Sequence, residues 1–339
     1  MIEGLVNLIT PAYNSAGFIH RLLDSVLMQT YPMIKMYIID DGSTDNTHEV
    51  IEKYKPLFAK KGYELRYVYQ ENAGISFAIN NALKLVDGEY LLWPDSDDWY
   101  KKADSIEKLV DALQEFGDEV GIARCRYEFV SDHSFIANGS NSYPNYGFPE
   151  SVLDDAVYYR NGFINVPGGW IIKTRYLDSF IPNRNIYTEK DAGQNAQILL
   201  PYVANCKCVS VDDILFCYFV REDSHSRAKG HEKENSRVEA YMHTYIHVLN
   251  ILPELESSKR EEYKQIIQRM FYSRLLKNDV EYYVTSSFRL HFKECKDLGV
   301  PLPKRYMKMG YWTKMFSIKS YFMFSKCHAR LRSIMFPSK

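Results

Sequence analysis

The sequence predicts an α/β fold, in which a Rossmann-like, mostly parallel sheet carries helices on both faces and is followed by a helical C-terminal region. Two observations support this prediction. In the first hundred residues, short apolar runs alternate with stretches whose apolar residues recur at helical spacing. Beyond Arg227 the sequence becomes more charged and keeps the helical spacing. We therefore expect an α/β domain over residues 1–227 and a helical region over residues 228–339.

The predicted elements follow one another in a regular order. An apolar run at residues 5–10 is interpreted as the first strand, and an amphipathic helix begins near Phe18. The next elements are a strand at 36–39, a helix at 46–61, a strand at 65–69, a helix at 73–86 and a strand at 90–93. Right-handed crossovers between such strands place their carboxyl ends along one edge of the sheet, where open α/β sheets bind ligands.

Three carboxylates, Asp95, Asp97 and Asp98, follow the strand at 90–93 within four positions. Negative charges this close together repel each other, and a divalent cation removes the repulsion. Mg²⁺ or Mn²⁺ held by one or two carboxylates usually keeps positions free for substrate phosphates. The alternative is a solvated acidic turn that caps the next helix.

Two other loops reach the same edge of the predicted sheet. The loop after the first strand carries Pro11, Tyr13 and Asn14, and the loop after the second strand carries Asp41. Tyr13 could stack on a base, and Asp41 could accept a hydrogen bond from a base N–H group. The sequence contains neither a Gly-x-Gly-x-x-Gly nor a Gly-Lys-Ser/Thr phosphate loop at this point. The charge of a bound diphosphate must therefore be met by the cation.

Five motifs, in their order and spacing, resemble those of the family 2 glycosyltransferases of the GT-A fold. They are Pro11-Ala12-Tyr13-Asn14, Gln29-Thr30-Tyr31, Asp40-Asp41-Gly42-Ser43-Thr44-Asp45, Asn72-Ala73-Gly74-Ile75-Ser76 and Asp95-Ser96-Asp97-Asp98. The resemblance covers about the first 230 of the 339 residues. It implies an inverting, metal-dependent transfer of a sugar from a nucleotide-diphosphate donor, expected to be a UDP-sugar. It further implies a glycan or lipid-linked acceptor and a role in cell-surface polysaccharide synthesis.

The resemblance also assigns roles by position. Tyr13 and Asp41 match the base-binding residues of the family. Asp95 matches a ribose or metal contact, and Asp97 matches the metal ligand of the DxD-type motif. The other residues expected at the donor are Pro11, Asn14, Asn72, Gly74 and Ser96. Residues 1–100 would then bind the nucleotide sugar, and residues 101–227 would bind the acceptor.

The sequence departs from the family pattern at two places. The fourth motif usually continues Ala-Arg-Asn, whereas this chain has Ala78-Ile79-Asn80, so a basic donor contact is missing or supplied elsewhere. A Glu-Asp pair usually lies about two dozen residues before an aromatic-x-x-Arg segment, here Tyr218-Phe219-Val220-Arg221. Counting back from that segment leads to Gln194-Asn195, and neither amide accepts a proton at neutral pH.

Two acids just upstream of this pair are the candidates for the catalytic base. We predict Asp191 because it lies nearer the position of the family's acids, with Glu189 as the second candidate. The alternative role for Asp191 is that it only caps the next helix. The main alternative function is therefore a catalytically impaired nucleotide-sugar-binding protein. A metal-dependent nucleotidyltransferase is a third option, against which the missing Gly-rich loop argues.

Two aromatic residues in the acceptor half are candidates for substrate contacts. Trp170 follows two glycines and could face a sugar ring, although a core tryptophan is an equal alternative. His225 lies in an Asp-Ser-His-Ser turn to which the resemblance extends weakly. It could contact the metal or a phosphate, or it could be a surface histidine.

The composition restricts the partners and the compartment. A net charge of −1 argues against binding to nucleic acid. The six cysteines show no framework spacing, which is typical of a reduced, cytoplasmic protein. The chain begins with a short strand-like run and not with a signal peptide, and no apolar run approaches the roughly 18 residues of a membrane span.

The end of the sequence is basic and aromatic. After Asp297 there is no Asp or Glu, and cations such as Lys314 and Lys319 alternate with rings such as Tyr311 and Phe316. We expect this tail to bind an anionic membrane surface, such as the inner face of the cell membrane. The alternative is that the aromatic residues complete a helical core or a dimer contact.

Overall fold

The computed structural model describes residues 1–131, 137–163, 165–189, 193–221, 230–253, 255–323 and 325. The strands are β1 Ile2–Ala12, β2 Ile34–Asp41, β3 Glu64–Gln70, β4 Gly88–Leu92, β5 Trp99–Tyr100, β6 Val120–Ser131, β7 Ala137–Ser140, β8 Trp170–Lys173 and β9 Lys207–Val220. The helices are α1 Ile19–Leu27, α2 Thr47–Lys61, α3 Ile75–Leu83, α4 Ser105–Glu115, α5 Leu153–Tyr158, α6 Leu177–Phe180, α7 Gln194–Asn205, α8 His231–Ile251, α9 Ser257–Glu281, α10 Thr285–Asp297 and α11 Lys304–Trp312.

The strands form one sheet in the order β3-β2-β1-β4-β8-β6-β9-β5, and β7 pairs with β6. The first four strands are parallel, as the alternation of strands and helices predicts. β8 then lies antiparallel to both β4 and β6, β9 is parallel to β6, and β5 is antiparallel to β9. The α/β architecture is confirmed, and its parallel part carries the loops of the predicted donor site.

The two faces of the sheet belong to two apolar clusters, as β1 shows. Val6 and Leu8 contribute to a cluster with α1, α2 and α4, whereas Ile9 contributes to a cluster with α3, α7, α8 and α9. This alternation follows from the two-residue period of a strand. Helices therefore cover both faces of the sheet, and α8 and α9 share an apolar core with the α/β part of the chain.

The remaining helices form a smaller cluster at the far end of α9. Leu276 of α9, Phe288 of α10 and Met309 of α11 are fully buried there, together with Ile318 beyond α11. Part of the basic aromatic tail thus completes a helical core, which was the alternative to the membrane prediction. Among the described helices, none combines the length and the apolar composition needed to cross a membrane.

A buried carboxylate holds three helices of this region together. Asp279 of α9 is fully buried. Its Oδ1 atom accepts a hydrogen bond from Ser287 Oγ at 2.6 Å and lies 2.7 Å from His231 Nε2 of α8. Its Oδ2 atom lies 2.6 Å from His291 Nδ1 of α10. A buried carboxylate with several polar partners stabilises the fold only while those partners are present.

Replacing Asp279 with Ala is expected to lower the free energy of unfolding by roughly 3–5 kcal/mol, because the buried partners on α8 and α10 lose their acceptor. Urea denaturation followed by circular dichroism measures this change. Asp297→Ala is the matched control, because its ion pair with Lys293 at 2.7 Å is exposed. That variant should change stability by less than about 0.5 kcal/mol. Equal midpoints for the two variants would contradict a structural role for Asp279.

Candidate active site

The loops that follow β1 and β2 are joined directly by hydrogen bonds. The Asn14 amide donates to Ser43 Oγ at 2.9 Å, and the Thr44 amide donates to Asn14 Oδ1 at 2.8 Å. Asn14 has a φ of +48°, a conformation that Asn tolerates better than most residues. The Ser15 amide donates to Thr47 Oγ1 at 2.7 Å. The structure therefore brings together two of the loops that the sequence places at one edge.

Asp41, at the end of β2, orients the loop that follows β3. Its Oδ1 atom accepts hydrogen bonds from Gln70 Nε2 at 2.7 Å and from the Ala73 amide at 2.8 Å. Its Oδ2 atom accepts one from the Gly74 amide at 2.9 Å, and Asn72 Nδ2 donates to the Asp41 carbonyl. A carboxylate offers about four acceptor positions, so these three bonds leave room for one from a ligand.

Close packing between these loops depends on a glycine. A Cβ atom on Gly42 would lie 2.8 Å from the Asn72 amide nitrogen, and the φ of Gly42 is +78°. Tyr13 stands beside this arrangement with 52% of its side chain exposed, so its ring is available for stacking. Pro11 is buried in β1 opposite Ile39 of β2.

The acidic loop after β4 adjoins the same site. Ser96 Oγ lies 3.0 Å from Ser15 Oγ, which connects this loop to the one after β1. Asp98 is fully buried, and its Oδ1 atom accepts a hydrogen bond from the Phe219 amide at 2.8 Å. Among the described residues, the Asp98 Oδ2 atom has no hydrogen-bond partner. Asp98 therefore fixes the loop to β9, and its buried carboxyl group interacts electrostatically with Asp95 and Asp97.

The three carboxyl groups are held where their charged forms are costly. Burial raises the pKa of Asp95 to about 7, and the neighbouring Asp97 carboxylate adds to the increase. Burial also raises the pKa of Asp97, although the Arg221 guanidinium opposes this increase. The pKa of Asp98 is raised well above its usual range by burial and by the other two carboxylates. A nearby positive charge would stabilise all three groups in their ionised forms.

Two arginines supply part of that positive charge. Arg221, just after β9, places its Nε atom 3.0 Å from Asp97 Oδ2 and its guanidinium 4.2 Å from the centre of the Phe18 ring. Arg21 of α1 lies 4.4 Å from the centre of the Phe219 ring. Ile79, by contrast, is buried in the apolar core, so the fourth motif offers no basic side chain. Two basic side chains from elsewhere in the chain, Arg221 and Arg21, therefore lie close to the acidic loop.

The acidic loop fits a hard divalent cation. Asp95 and Asp97 offer oxygen ligands and are only partly exposed, and within the described residues the Asp98 Oδ2 atom has no hydrogen-bond partner. The described residues contain no cluster of three or more His, Cys, Asp or Glu that could hold a metal ion. Mg²⁺ commonly takes one or two protein carboxylates and completes its coordination with water and phosphate oxygens. These two aspartates suit such a site.

The start of α7 contacts the acidic loop. Gln194, the first residue of this helix, donates from Nε2 to Asp95 Oδ1 at 3.4 Å. Gly193 lies so close to Tyr241 of α8 that a Cβ atom would come within 2.1 Å of the ring. Asn195 donates to the Asn165 carbonyl at 3.0 Å, and within the described part of the chain its buried Oδ1 atom has no partner. Amides thus occupy the positions where the family usually keeps two acids.

Glu189 lies in the segment before α7 and contacts the helical region. It accepts a hydrogen bond from the Tyr187 hydroxyl at 2.9 Å, and both of its oxygens lie 3.3 Å from His243 Nδ1. Asn80 of α3 fixes the start of the segment, because it exchanges two hydrogen bonds with the backbone of Ile186. Asp191, the first candidate for the base, lies outside the described residues.

The two aromatic acceptor candidates have different outcomes. Trp170 is only 1% exposed, and its ring centre lies 5.1 Å from that of Phe163 within the core. Its ring is therefore not available to a sugar, and the prediction of a sugar contact is corrected to a core tryptophan. His225 lies outside the described residues.

Comparison with known sequences decides the family. The model of glycosyl transferase family 2 matches residues 7–180, more than half of the chain. The chain belongs to glycosyl transferase family 2. The resemblance drawn from the five motifs is confirmed, and the match includes all of the loops described at the donor edge.

This glycosyltransferase has relatives that it matches in part. It is 32% identical over 122 residues to glycosyltransferase GlyA of Streptococcus pneumoniae, covering 36% of this chain and 17% of GlyA. It is 34% identical over 155 residues to the putative teichuronic acid biosynthesis glycosyltransferase TuaG of Bacillus subtilis, covering 45% and 57%. It is 40% identical over 141 residues to the chondroitin synthase of Pasteurella multocida, covering 40% and 14%. The chain spans less than two thirds of each of these relatives.

Solved structures show that the fold of this glycosyltransferase is of the GT-A type. TarS of S. aureus (residues 1–349, in complex with UDP-GlcNAc) superposes with a TM-score of 0.62 at 20% identity, covering 89% of this chain and 82% of TarS. The mannosyltransferase PcManGT of Pyrobaculum calidifontis, in complex with GDP-Man and Mn²⁺, superposes with a TM-score of 0.56 at 17% identity. That match covers 93% of this chain and 85% of PcManGT.

Sequence reasoning did not find every residue of the site. Arg21 lies on α1 among positions chosen for their apolar spacing, and nothing in that pattern marks it as a neighbour of Asp97. Arg221 was noted only as the end of the aromatic-x-x-Arg segment, and that motif was the available signal. His243 belongs to the helical region, so its contact with Glu189 depends on tertiary packing that no local pattern predicts.

Proposed function

We propose that this glycosyltransferase transfers a sugar from a UDP-sugar to a hydroxyl group of a glycan or lipid-linked acceptor, with inversion at the anomeric carbon. The observation that carries the proposal is that Tyr13, Asp41 and the pair Asp95 and Asp97 lie on connected loops at one edge of the sheet. The names of TuaG and chondroitin synthase support a role in cell-surface polysaccharide synthesis. TarS, solved with UDP-GlcNAc, supports the choice of UDP.

Each residue of the donor edge has a physical task in this proposal. Tyr13 stacks on the base, and Asp41 accepts a hydrogen bond from a base N–H group. The loop containing Asn72 and Gly74 borders the nucleotide, because Asp41 holds that loop in place. Asp95 and Asp97 would hold Mg²⁺ or Mn²⁺, and the cation would stabilise charge on the departing diphosphate. PcManGT, solved with Mn²⁺, supports the metal.

In this proposal, Arg221 acts on the departing diphosphate, and the base acts on the acceptor hydroxyl. Arg221 lies beside Asp97 and adds a positive charge near the expected diphosphate position. The base removes the proton of the acceptor hydroxyl while the hydroxyl oxygen bonds to the anomeric carbon. The bond from that carbon to the diphosphate oxygen breaks at the same time. We propose Asp191 as this base and Glu189 as the second candidate. His225 is kept as a candidate phosphate contact.

One observation favours a second candidate function. Gln194 and Asn195 replace the acids that the family usually has at this point, and Gln194 contacts Asp95 directly. A chain that had lost its base would still bind the nucleotide sugar and would not turn it over. The alternative is therefore a catalytically impaired nucleotide-sugar-binding protein.

We further propose that the enzyme works in the cytoplasm at the inner face of the cell membrane. The basic residues after Asp297 support this placement, because the cytoplasmic leaflet carries a negative surface potential. A peripheral position would give the active site access to a lipid-linked acceptor.

UDP and UDP-sugars are expected to raise the melting temperature in the presence of Mn²⁺, and GDP-sugars are expected to have less effect. A ligand at about 100 times its dissociation constant adds about 2.7 kcal/mol to the free energy of unfolding. Differential scanning fluorimetry with a panel of nucleotide sugars measures this effect. Tyr13→Ala should weaken binding by about 1–3 kcal/mol through lost stacking. Tyr283→Ala is the matched control, because its side chain is similarly exposed at 51%.

Release of UDP from UDP-GlcNAc, with water as acceptor, separates the two candidate functions. Turnover that requires Mn²⁺ supports the transferase. Stabilisation by UDP-sugars without any turnover supports the binding protein. A melting temperature that no nucleotide changes would contradict both functions.

A further inference from the structure

The end of α11 and the connection after it form an exposed apolar tip, which we define by Tyr311, Met315 and Phe316. Their side chains are 62%, 80% and 49% exposed, respectively. They lie within six consecutive positions of the chain. Single exposed apolar residues are common on protein surfaces, whereas a group this compact marks an interaction site.

The exposure of the tip is built into the fold. Thr313 and Ile318, on the two sides of Met315 and Phe316, are 1% and 0% exposed. The Ile318 amide donates to Thr285 Oγ1 at 3.0 Å, and Arg289 Nε donates to the Thr313 carbonyl at 2.7 Å. The connection is therefore fastened to α10 at both ends, and the apolar side chains between these points are held outward.

The surroundings of the tip are cationic. Lys314 Nζ lies 5.5 Å from the centre of the Tyr311 ring. Lys319 is exposed, and Arg289 is brought to the tip by its bond to Thr313. No acidic residue occurs in the sequence after Asp297. The tip therefore has apolar side chains, whose burial away from water is favourable, next to cations that favour an anionic partner.

We propose that this tip inserts into the headgroup region of an anionic lipid bilayer, with Lys314, Lys319 and Arg289 on the lipid phosphates. The rings and the methionine enter the boundary between headgroups and acyl chains, and the cations remain in the headgroup layer. A lipid surface is favoured over a second copy of the chain by charge. In a twofold contact the same patch meets itself, so these cations would face one another without compensating acids. The proposal does not depend on the transfer reaction.

The test compares point variants of the full chain, because a truncation before Lys304 would also remove the buried Met309 and Ile318. Co-sedimentation uses phosphatidylcholine vesicles with or without phosphatidylglycerol. The full chain should bind only the anionic vesicles, and high salt should release it. The double variant Met315→Ser/Phe316→Ser should lose at least about tenfold in binding. Lys314→Gln and Lys319→Gln should each weaken binding by about fivefold.

The double variant Met28→Ser/Leu57→Ser is the matched control, because these side chains are 53% and 48% exposed in the catalytic half. It should bind vesicles like the unmodified chain. Absence of binding to anionic vesicles at low salt would overturn the proposal, and so would equal binding to neutral vesicles. Light scattering measures the oligomeric state and tests for another result that would overturn the proposal. A dimer that becomes monomeric in Met315→Ser/Phe316→Ser would assign the tip to a second copy of the chain.

Discussion

Replacing Asp97 with Asn is expected to lower the turnover of a UDP-sugar by about 10²- to 10³-fold while the fold stays intact. The carboxylate of Asp97 is both a proposed metal ligand and the ion-pair partner of Arg221 at 3.0 Å. An amide of the same size keeps the packing and removes the charge. The departing diphosphate then loses stabilisation of several kcal/mol, and each 1.36 kcal/mol corresponds to a tenfold change in rate.

The measurement is UDP release with increasing Mn²⁺, together with the melting temperature of each variant. Asp178→Asn is the matched control, because that carboxylate is exposed and paired with Arg184 at the surface. The control should retain full turnover. The melting temperature of Asp97→Asn should change little, because Asn keeps the side-chain volume and an acceptor oxygen for Arg221, and burial already makes the charge of Asp97 costly. Full turnover in a chelator, or in Asp97→Asn, would contradict the assignment.

The first half of the fold was predictable because its signals are local. The burial of Ile19, Leu22, Leu23 and Val26 on α1 matches the helical spacing that predicts an amphipathic helix near Phe18. The antiparallel entry of β8 between β4 and β6 joins residues about 50 to 80 positions apart in the chain, and no local pattern encodes such a pairing. β7 likewise forms by pairing with β6, and no local pattern in the sequence marks it as a strand.

The donor side of the site was predictable, and the acceptor side was not. Asp41 and Asp95 follow strands whose carboxyl ends must meet in a parallel sheet, so their proximity follows from the order of elements. Trp170 illustrates the opposite case, because two glycines before an aromatic residue are equally compatible with a buried ring. The contact between Glu189 and His243 joins the catalytic half to α8, and it depends on how those helices pack.

Asp191→Asn is expected to lower turnover by about 10²- to 10⁴-fold, the usual contribution of a general base, while Glu189→Gln retains activity within about tenfold. Glu189 already accepts a hydrogen bond from Tyr187 and contacts His243. Asp191 lies three positions before Gln194, and the side-chain amide of Gln194 donates a hydrogen bond to Asp95. Asparagine has nearly the same size and shape as aspartate and cannot accept a proton at neutral pH, so Asp191→Asn removes the base with little other change. UDP release is the measurement, and UDP affinity, which neither change should alter, is the control.

A large loss of turnover in Glu189→Gln alone would assign the base to Glu189. Unchanged turnover in both variants would exclude both acids as the catalytic base. Weaker UDP binding by Asp191→Asn would show that Asp191 acts on the donor and not on the acceptor hydroxyl.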